Sequence, residues 1–319
     1  MSDRYDEMYR AATEYYVQGE TMDSISRGLG VSRSTVSRLL AQARESGLVR
    51  ISIADAVGAQ SPVARSLADA FGVRVHLVPV RASLRIHARF DRVAQRAAGL
   101  LTEVVDDHQL IGVAWGVTLA AVARQLQHRP LAGSTIVQMN GGANQVASGV
   151  PYTRAIMQSV GDAFDSDVVL FPVPAFFDFA ETKRAMWRER SVRHVLQLQA
   201  GLDVAIFGVG SLSGIVPSHV YAGGYLEDEE RRALAEDGVV GDVCTVLLRE
   251  DGSYADIEAN QRASGLNPAE LQRVPRRLGV VADPKRAPAV AGALRAGVMT
   301  DLVIDEVTAQ ATHRRLEGS

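Results

Sequence analysis

Over the first fifty residues, apolar positions recur at helical spacing. From Arg4 to Gln18 the residues Tyr5, Met8, Tyr9, Ala12, Tyr15 and Tyr16 return at steps of three and four, which predicts a helix with one buried face, ended by Gly19. The following TMDSISRGLGVSRSTVSRLLAQARESGLVRISI divides into helix, tight turn and helix. Thr21 and Asp23 can cap the first of these, Ile25 and Leu29 form its inner face, and Gly30 supplies the left-handed conformation that ends it. Ser32 caps the second, on which Val36, Leu39 and Leu40 face inward. Glu45 to Val49 then lead into the strand-like RISI, as in a winged arrangement.

Between Ile53 and Pro62 the residues are small, with few bulky apolar side chains, as suits a connection between domains. From Val63 onward strand candidates alternate with helical patterns: VRVHLVPV, LIGVAWG, STIVQMNGG, DVVLFPVP, DVAIFGVG, VCTVLLRE, RLGVVAD and DLVIDE. Continuous apolar strands alternating with helices predict a parallel sheet covered on both faces. The expected organisation is residues 1–54 as a small helical domain, 55–62 as linker and 63–319 as a large α/β domain.

Charge changes the picture of the small domain only. The whole chain carries a formal charge of −3, which argues against a surface uniformly coated in positive charge. Residues 21–50, however, hold five arginines (Arg27, Arg33, Arg38, Arg44, Arg50) against the two acids Asp23 and Glu45. On the second helix Ser32, Arg33, Ser34, Thr35, Ser37 and Arg38 point away from the apolar face, with no acid from Ser32 to Arg44. Arginine can read guanine or pair with phosphate, and small hydroxyls fit close to base edges and backbone. A helix-turn-helix with its second helix in the major groove is the expectation, against the plainer alternative of a helical hairpin with a solvated face.

In the large domain the chemistry is expected beyond the carboxyl ends of the parallel strands. Gly116 after IGVAW permits close backbone approach, and Thr118 presents a hydroxyl at the first turn of the next helix. Asn140, Gly141 and Gly142 follow STIVQM, Gly208 and Gly210 follow AIF, Gly241 and Asp242 precede VCTVLL, and Asp283, Pro284 and Lys285 follow LGVVA. Other chemistries fit poorly. Gly208-Val209-Gly210 would place Ser213 at the sixth position of a dinucleotide loop, and GSLSG puts that serine one place from a nucleophile elbow. Neither a P-loop nor a pair among the seven histidines at zinc spacing occurs. The single Cys244 lies in an apolar run and is expected to be a buried structural thiol. Without a long apolar run or an apolar N-terminus, the protein is expected in the cytoplasm, with no membrane partner.

The segment ISRGLGVSRSTVSRLLAQARESGLV resembles the N-terminal domain of the SorC family of sugar-binding regulators, with Ser26 in place of a usual alanine. The later order of Trp115-Gly116-Val117-Thr118, Asn140-Gly141-Gly142, Gly208-Val209-Gly210, Gly241-Asp242 and Lys285 is similar to that family's effector domain. The resemblance implies a fold of the glucosamine-6-phosphate deaminase and ribose-5-phosphate isomerase group. It also implies that Gly116 and Thr118 hold phosphate, that Asn140, Gly141 and Gly142 line the pocket, that Asp242 accepts from sugar hydroxyls and that Lys285 pairs with the anion. The family's glycine ahead of this lysine is replaced, so Asp283 and Pro284 stand beside Lys285 and could select an unphosphorylated sugar or polyol. No lysine occurs in SVGDAFDSDVVLFPVP, so covalent capture of the effector as a Schiff base is not expected.

The function so implied is regulation of a carbohydrate or nucleoside operon, without enzymatic activity or cofactor, by a sugar or sugar-phosphate effector. One recognition helix makes few contacts, so a palindromic operator bound by a homo-oligomer, a tetramer by resemblance, is expected. The rival is a sugar-phosphate isomerase or deaminase whose N-terminal segment serves oligomerisation. It would need a general base such as Asp242, yet no second acid or histidine accompanies that residue in a recognisable motif.

Overall fold

A computed structural model of the chain describes residues 2–49, 61–144 and 149–318, in two compact units divided between Ala59 and Gln60. The strand expected at Arg50–Ile53, and with it the wing, lies outside the described residues, as does most of the expected linker.

The first unit contains α1 (Ser2–Ala12), a π-helical turn at Thr13–Val17, α2 (Met22–Leu29) and α3 (Arg33–Glu45). Thr21 Oγ1 accepts from the Ser24 N–H, Gly30 ends α2 at φ 68°, and Ser32 Oγ accepts from the Thr35 N–H. These caps fix where each helix begins and turns, and Met8, Ala11, Ala12, Ile25, Val36, Leu39, Leu40 and Ala43 close over one another as the core. The expected buried face of α1 is narrower than its tyrosines suggested. Tyr5 and Tyr9 are 54% and 56% exposed, because they sit about 60° and 100° around the helix from Met8, on one flank of the buried stripe.

Among the described residues the second unit has nine strands: β1 (Arg74–Val78), β2 (Leu110–Val113), β3 (Thr135–Gln138), β4 (Asp167–Val169), β5 (Val204–Ser211), β6 (Val239–Val243), β7 (Val246–Arg249), β8 (Arg276–Val281) and β9 (Asp301–Asp305). Seven of them form a parallel sheet in the order β1-β9-β8-β5-β2-β3-β4. Alternate side chains feed two cores. Ile111, Val113, Ile206, Leu278, Val280 and Val303 pack on one face, while Ala205, Phe207, Leu302 and Ile304 pack on the other. The first face is covered by α5 (Ile86–Val104), α6 (Val117–Ala123) and α7 (Val150–Phe164). The second is covered by α4 (Pro62–Phe71), α9 (Arg190–Ala200, after the short α8 at Ala180–Met186) and two C-terminal helices, Ala287–Arg295 and Glu306–Glu317.

VCTVLLRE is not the single parallel strand its composition predicts. It is the turn and second arm of an antiparallel hairpin, β6 to β7, whose first arm pairs antiparallel with the end of β5. Cys244 and Thr245 both adopt positive φ, 51° and 67°, in a two-residue turn that usually calls for glycine or asparagine. The Asp242 carboxylate holds the turn through Oδ2, which accepts from the Thr245 N–H at 3.1 Å. Cys244 itself is buried, as expected.

At the amino ends of β1, β8 and β9, one fully buried carboxylate collects charges from three strands. Asp301 accepts from Arg74 at 2.9 and 2.7 Å, from Arg276 Nη2 at 3.0 Å and from Thr300 Oγ1 at 2.8 Å, with His76 Nε2 at 3.0 Å. Burial alone would raise its pKa; the Arg74, His76 and Thr300 hydrogen bonds and the Arg276 charge outweigh burial and hold it well below the usual range. A depressed carboxylate contributes stability above its unfolded pKa of about 4 and loses it as pH falls below that value. Asp301→Asn should therefore cost about 2–3 kcal/mol at pH 7, with the gap to the parent protein narrowing below about pH 4, as measured by denaturant unfolding.

Candidate functional site

The chain leaves β2 toward β3 and β4 on one side of the sheet and runs from β5 toward β8 and β9 on the other. Their carboxyl ends therefore diverge, and open parallel sheets bind ligands in such crevices. A cavity of about 50 Å³ opens there. Its walls come from the β2 exit (Trp115, Gly116, Thr118), the β3 exit (Asn140), the end of β5 (Gly208, Gly210), the hairpin (Asp242, Thr245) and Ser218, His219 and Arg286.

Two glycines are required by this geometry. Gly116 sits at φ 145°, outside the range of ordinary side chains, as the chain turns from β2 into α6. A Cβ on Gly210 would lie 1.8 Å from Asp242 Oδ1, so glycine is what lets the hairpin carboxylate approach β5.

Polar groups converge without satisfying one another. Asn140 Oδ1, Asp242 Oδ1 and Arg286 Nε are all buried and lack a hydrogen-bond partner among the described residues. Burial drives the Asp242 carboxyl up to about 6, against the lowering influence of Tyr221, the Thr245 N–H and the Arg286 charge. The Tyr221 hydroxyl is likewise buried and without a hydrogen-bond partner among the described residues. Arg286 donates to the Val209 and Val216 carbonyls at 2.6 and 2.8 Å. An aromatic group closes one side: Trp115 stacks on Tyr225 at 5.0 Å, and His219 lies 4.6 Å from Tyr152, its pKa lowered by burial.

Of the residues expected from sequence, the fold brings Gly116, Thr118, Asn140 and Asp242 together and leaves three out. Gly141 and Gly142 are packing positions behind the wall, where a Cβ would meet the Val173 and Pro174 carbonyls or Thr153. Lys285 is exposed and outside the cavity; among the described residues only its backbone is engaged, with Asp283 Oδ1 and Ser213 Oγ. The cation that enters the cavity is the next residue, Arg286. Asp283 does not line the cavity either. Its buried carboxylate accepts from the Lys285 and Ile215 N–H groups, so it braces the segment Leu212–Pro217. Sequence gave no sign of Ser218, His219 or Thr245; the pairing of an apolar run into a hairpin is what delivers Thr245.

On the first unit, Arg33, Ser34, Ser37 and Arg38 are exposed on α3. Ser32 and Thr35 share a hydroxyl hydrogen bond of 2.9 Å at the cap, Arg38 Nη2 reaches Thr35 Oγ1 at 3.4 Å, and Arg33 stands 3.6 Å from Asp23 in an exposed pair.

A parallel α/β domain with a crevice of this polarity, preceded in sequence by a small helical unit, defines a class. Residues 55–312 match the Sugar-bind family of sugar-binding domains, and the chain belongs to this family, that of the SorC-type transcription regulators. It is 27% identical over 301 residues to the deoxyribonucleoside regulator of Bacillus subtilis (strain 168), covering 94% of this chain and 95% of that one. It is 30% identical over 304 residues to the transcriptional regulator LsrR of Enterobacter sp. (strain 638), covering 95% and 91%. Among solved structures, "a domain of a possible sugar-binding transcriptional regulator" from Arthrobacter aurescens TC1 matches with a TM-score of 0.75 and 44% identity, over 82% of this chain and all of that one. The full-length sorbitol operon regulator SorC of Klebsiella pneumoniae shares the fold, with a TM-score of 0.74 at 22% identity over 98% of this chain and 100% of that one. These relatives are regulators, not enzymes, so the isomerase or deaminase alternative is not favoured.

A carboxyl raised by burial stabilises the fold most below its unfolded pKa, near 3.8, and that contribution is lost as pH rises through about 6. Asp242→Asn removes the titration. The ligand-free variant should gain roughly 3 kcal/mol on the parent protein between pH 4 and pH 7, read as a melting-temperature difference that widens with pH.

Proposed function

Within this family we propose that α2 and α3 form a helix-turn-helix that binds operator DNA, and that a sugar or sugar phosphate at the β2–β5 crevice controls it. The observation that carries the effector assignment is the set of unpartnered atoms. Two buried acceptors, Asn140 Oδ1 and Asp242 Oδ1, and one buried donor, Arg286 Nε, suit hydroxyl groups, which donate and accept at once. Gly116 and Thr118 take the opposite end of the ligand, a phosphate where the effector carries one. At about 50 Å³ the cavity has room for one or two waters of ~30 Å³ each, so a sugar enlarges it on binding.

On the DNA side Ser32 and Thr35 shape the start of α3, while Arg33, Ser34, Ser37 and Arg38 meet the duplex. The Arg33–Asp23 pair is exposed and worth little, so it yields readily to phosphate. The reading extends to a winged first domain at residues 1–54, a linker at 55–62 and an effector domain of the deaminase and isomerase type at 63–319. It also includes a homotetramer on a palindromic operator in the cytoplasm.

Mobility-shift assays with DNA from upstream of the gene, combined with a thermal-shift screen of sugars, polyols and their phosphates, test both sites. Arg38→Ala should weaken operator binding at least tenfold and flatten its salt dependence by about one charge, leaving effector binding intact. Thr118→Val should do the converse. Equal loss of both properties in both variants would overturn the two-site assignment, and turnover of a sugar phosphate without DNA binding would restore the enzyme alternative.

A further inference from the structure

A second and larger cavity, about 230 Å³, adjoins the hairpin in the same domain: Thr245 lines the first, and its neighbour Val246 lines the second. Its volume corresponds to roughly seven waters. Two polar groups in its walls lack partners. Gln199, 3% exposed, is anchored by Nε2, which donates to the Gln138 carbonyl at 2.8 Å; its Oε1 is buried with no donor among the described residues. Lys183 is half-buried on α8; its ammonium makes no hydrogen bond or ion pair with any described residue and lies 5.3 Å from the centre of the Trp187 ring. Burial lowers the pKa of this ammonium, which Glu270 only partly offsets. Three other polar groups of the wall are already committed. Asn260 spends its amide on Leu247 and Tyr254, Ser264 bridges the Gly141 N–H to the Ala175 carbonyl, and Glu270 caps the turn at Asn267.

We propose that this cavity is a second small-molecule site that takes a small hydroxylated carboxylate, a sugar acid. A hydroxyl donates to Gln199 Oε1, the carboxylate meets Lys183 Nζ, and the carbon chain lies along Trp187, Leu196 and Leu266. The fixed Gln199 amide demands a donor, since a buried acceptor without one is costly. A single ammonium with the Glu270 carboxylate in the same wall suits a monoanion and disfavours a doubly charged phosphate. The site is independent of the effector crevice: no residue lines both cavities.

The two tryptophans of the chain, Trp115 and Trp187, report one cavity each. The test is calorimetric and fluorescence titration of the full-length protein with D-gluconate and D-glycerate, and with glycerol as a neutral counterpart. Expected is saturable binding of at least one acid but not of glycerol, with a fluorescence change that disappears in Trp187→Phe and persists in Trp115→Phe. Lys183→Met should weaken binding at least tenfold, Lys183→Arg should restore most of it, and Thr118→Val should leave it unchanged. Absence of binding by both acids overturns the proposal. So does binding that survives Lys183→Met with full affinity, or that is lost in Thr118→Val.

Discussion

A buried guanidinium with two buried carboxylates in reach organises the carboxyl-end face of the large domain. Arg286, Asp242 and Asp283 are each no more than 5% exposed, and bringing three such charges out of water is costly unless each is held. Arg286 is held by donating to Val209 at the end of β5 and to Val216 beyond it. Asp283 is held by two backbone N–H groups, and its own N–H donates to Thr308 Oγ1. That anchoring also explains how Asp283 sustains φ 112°, a backbone conformation costly for a non-glycine residue. Asp242 is the member left incomplete, with one oxygen on the Thr245 N–H and the other without a hydrogen-bond donor among the described residues. The unsatisfied end of this charge cluster is the floor of the cavity.

Much of this was legible in the chain because local chemistry dictated it. Thr21, Gly30 and Ser32 act at the positions their cap preferences indicate, since capping involves only residues a few places apart. Gly116, Thr118 and Asn140 could be found because parallel strands deliver their exits to one edge of the sheet whatever the strand order; Asp242, on an antiparallel arm, was marked only by the family resemblance of Gly241-Asp242. What escaped depends on contacts distant in sequence. Nothing local marks Cys244 and Thr245 as a tight turn; the positive φ values are sustained by the Asp242 carboxylate and by Gly265, where a Cβ would lie 1.6 Å from the Cys244 carbonyl. Lys285 and Arg286 exchange roles for a similar reason. A single 3₁₀ turn, Pro284–Arg286, started by the Asp283 side chain, turns one cation outward and the other inward.

The two ends of the sheet show one residue type used in opposite ways. Asp301, at the amino ends, is as buried as Asp242 at the carboxyl ends, but two guanidiniums, a hydroxyl and an imidazole surround it, and its pKa falls. Asp242 has one backbone donor and a guanidinium already committed to carbonyls, and its pKa rises. Burial is common to both; the count of aligned donors decides the sign. The satisfied carboxylate locks three strands in register and can do little else. The unsatisfied one is available to a ligand.

The hairpin turn then acquires a second importance, because it is the partition between two cavities. Thr245 faces the effector crevice, Val246 faces the larger cavity, and Gly265 packs its backbone against the Cys244 carbonyl from the latter side. Ser264 joins the same wall to the β3 exit through the Gly141 N–H. A ligand hydroxyl that drew Asp242 toward itself would compete with the Thr245 N–H for the carboxylate that sustains two positive-φ residues. Relaxation of those residues is blocked on the far side by backbone, which is far less compliant than a side chain. The turn is thus packed against the backbone of Gly265, and the two cavities stand on either side of one tightly packed wall while sharing no lining residue.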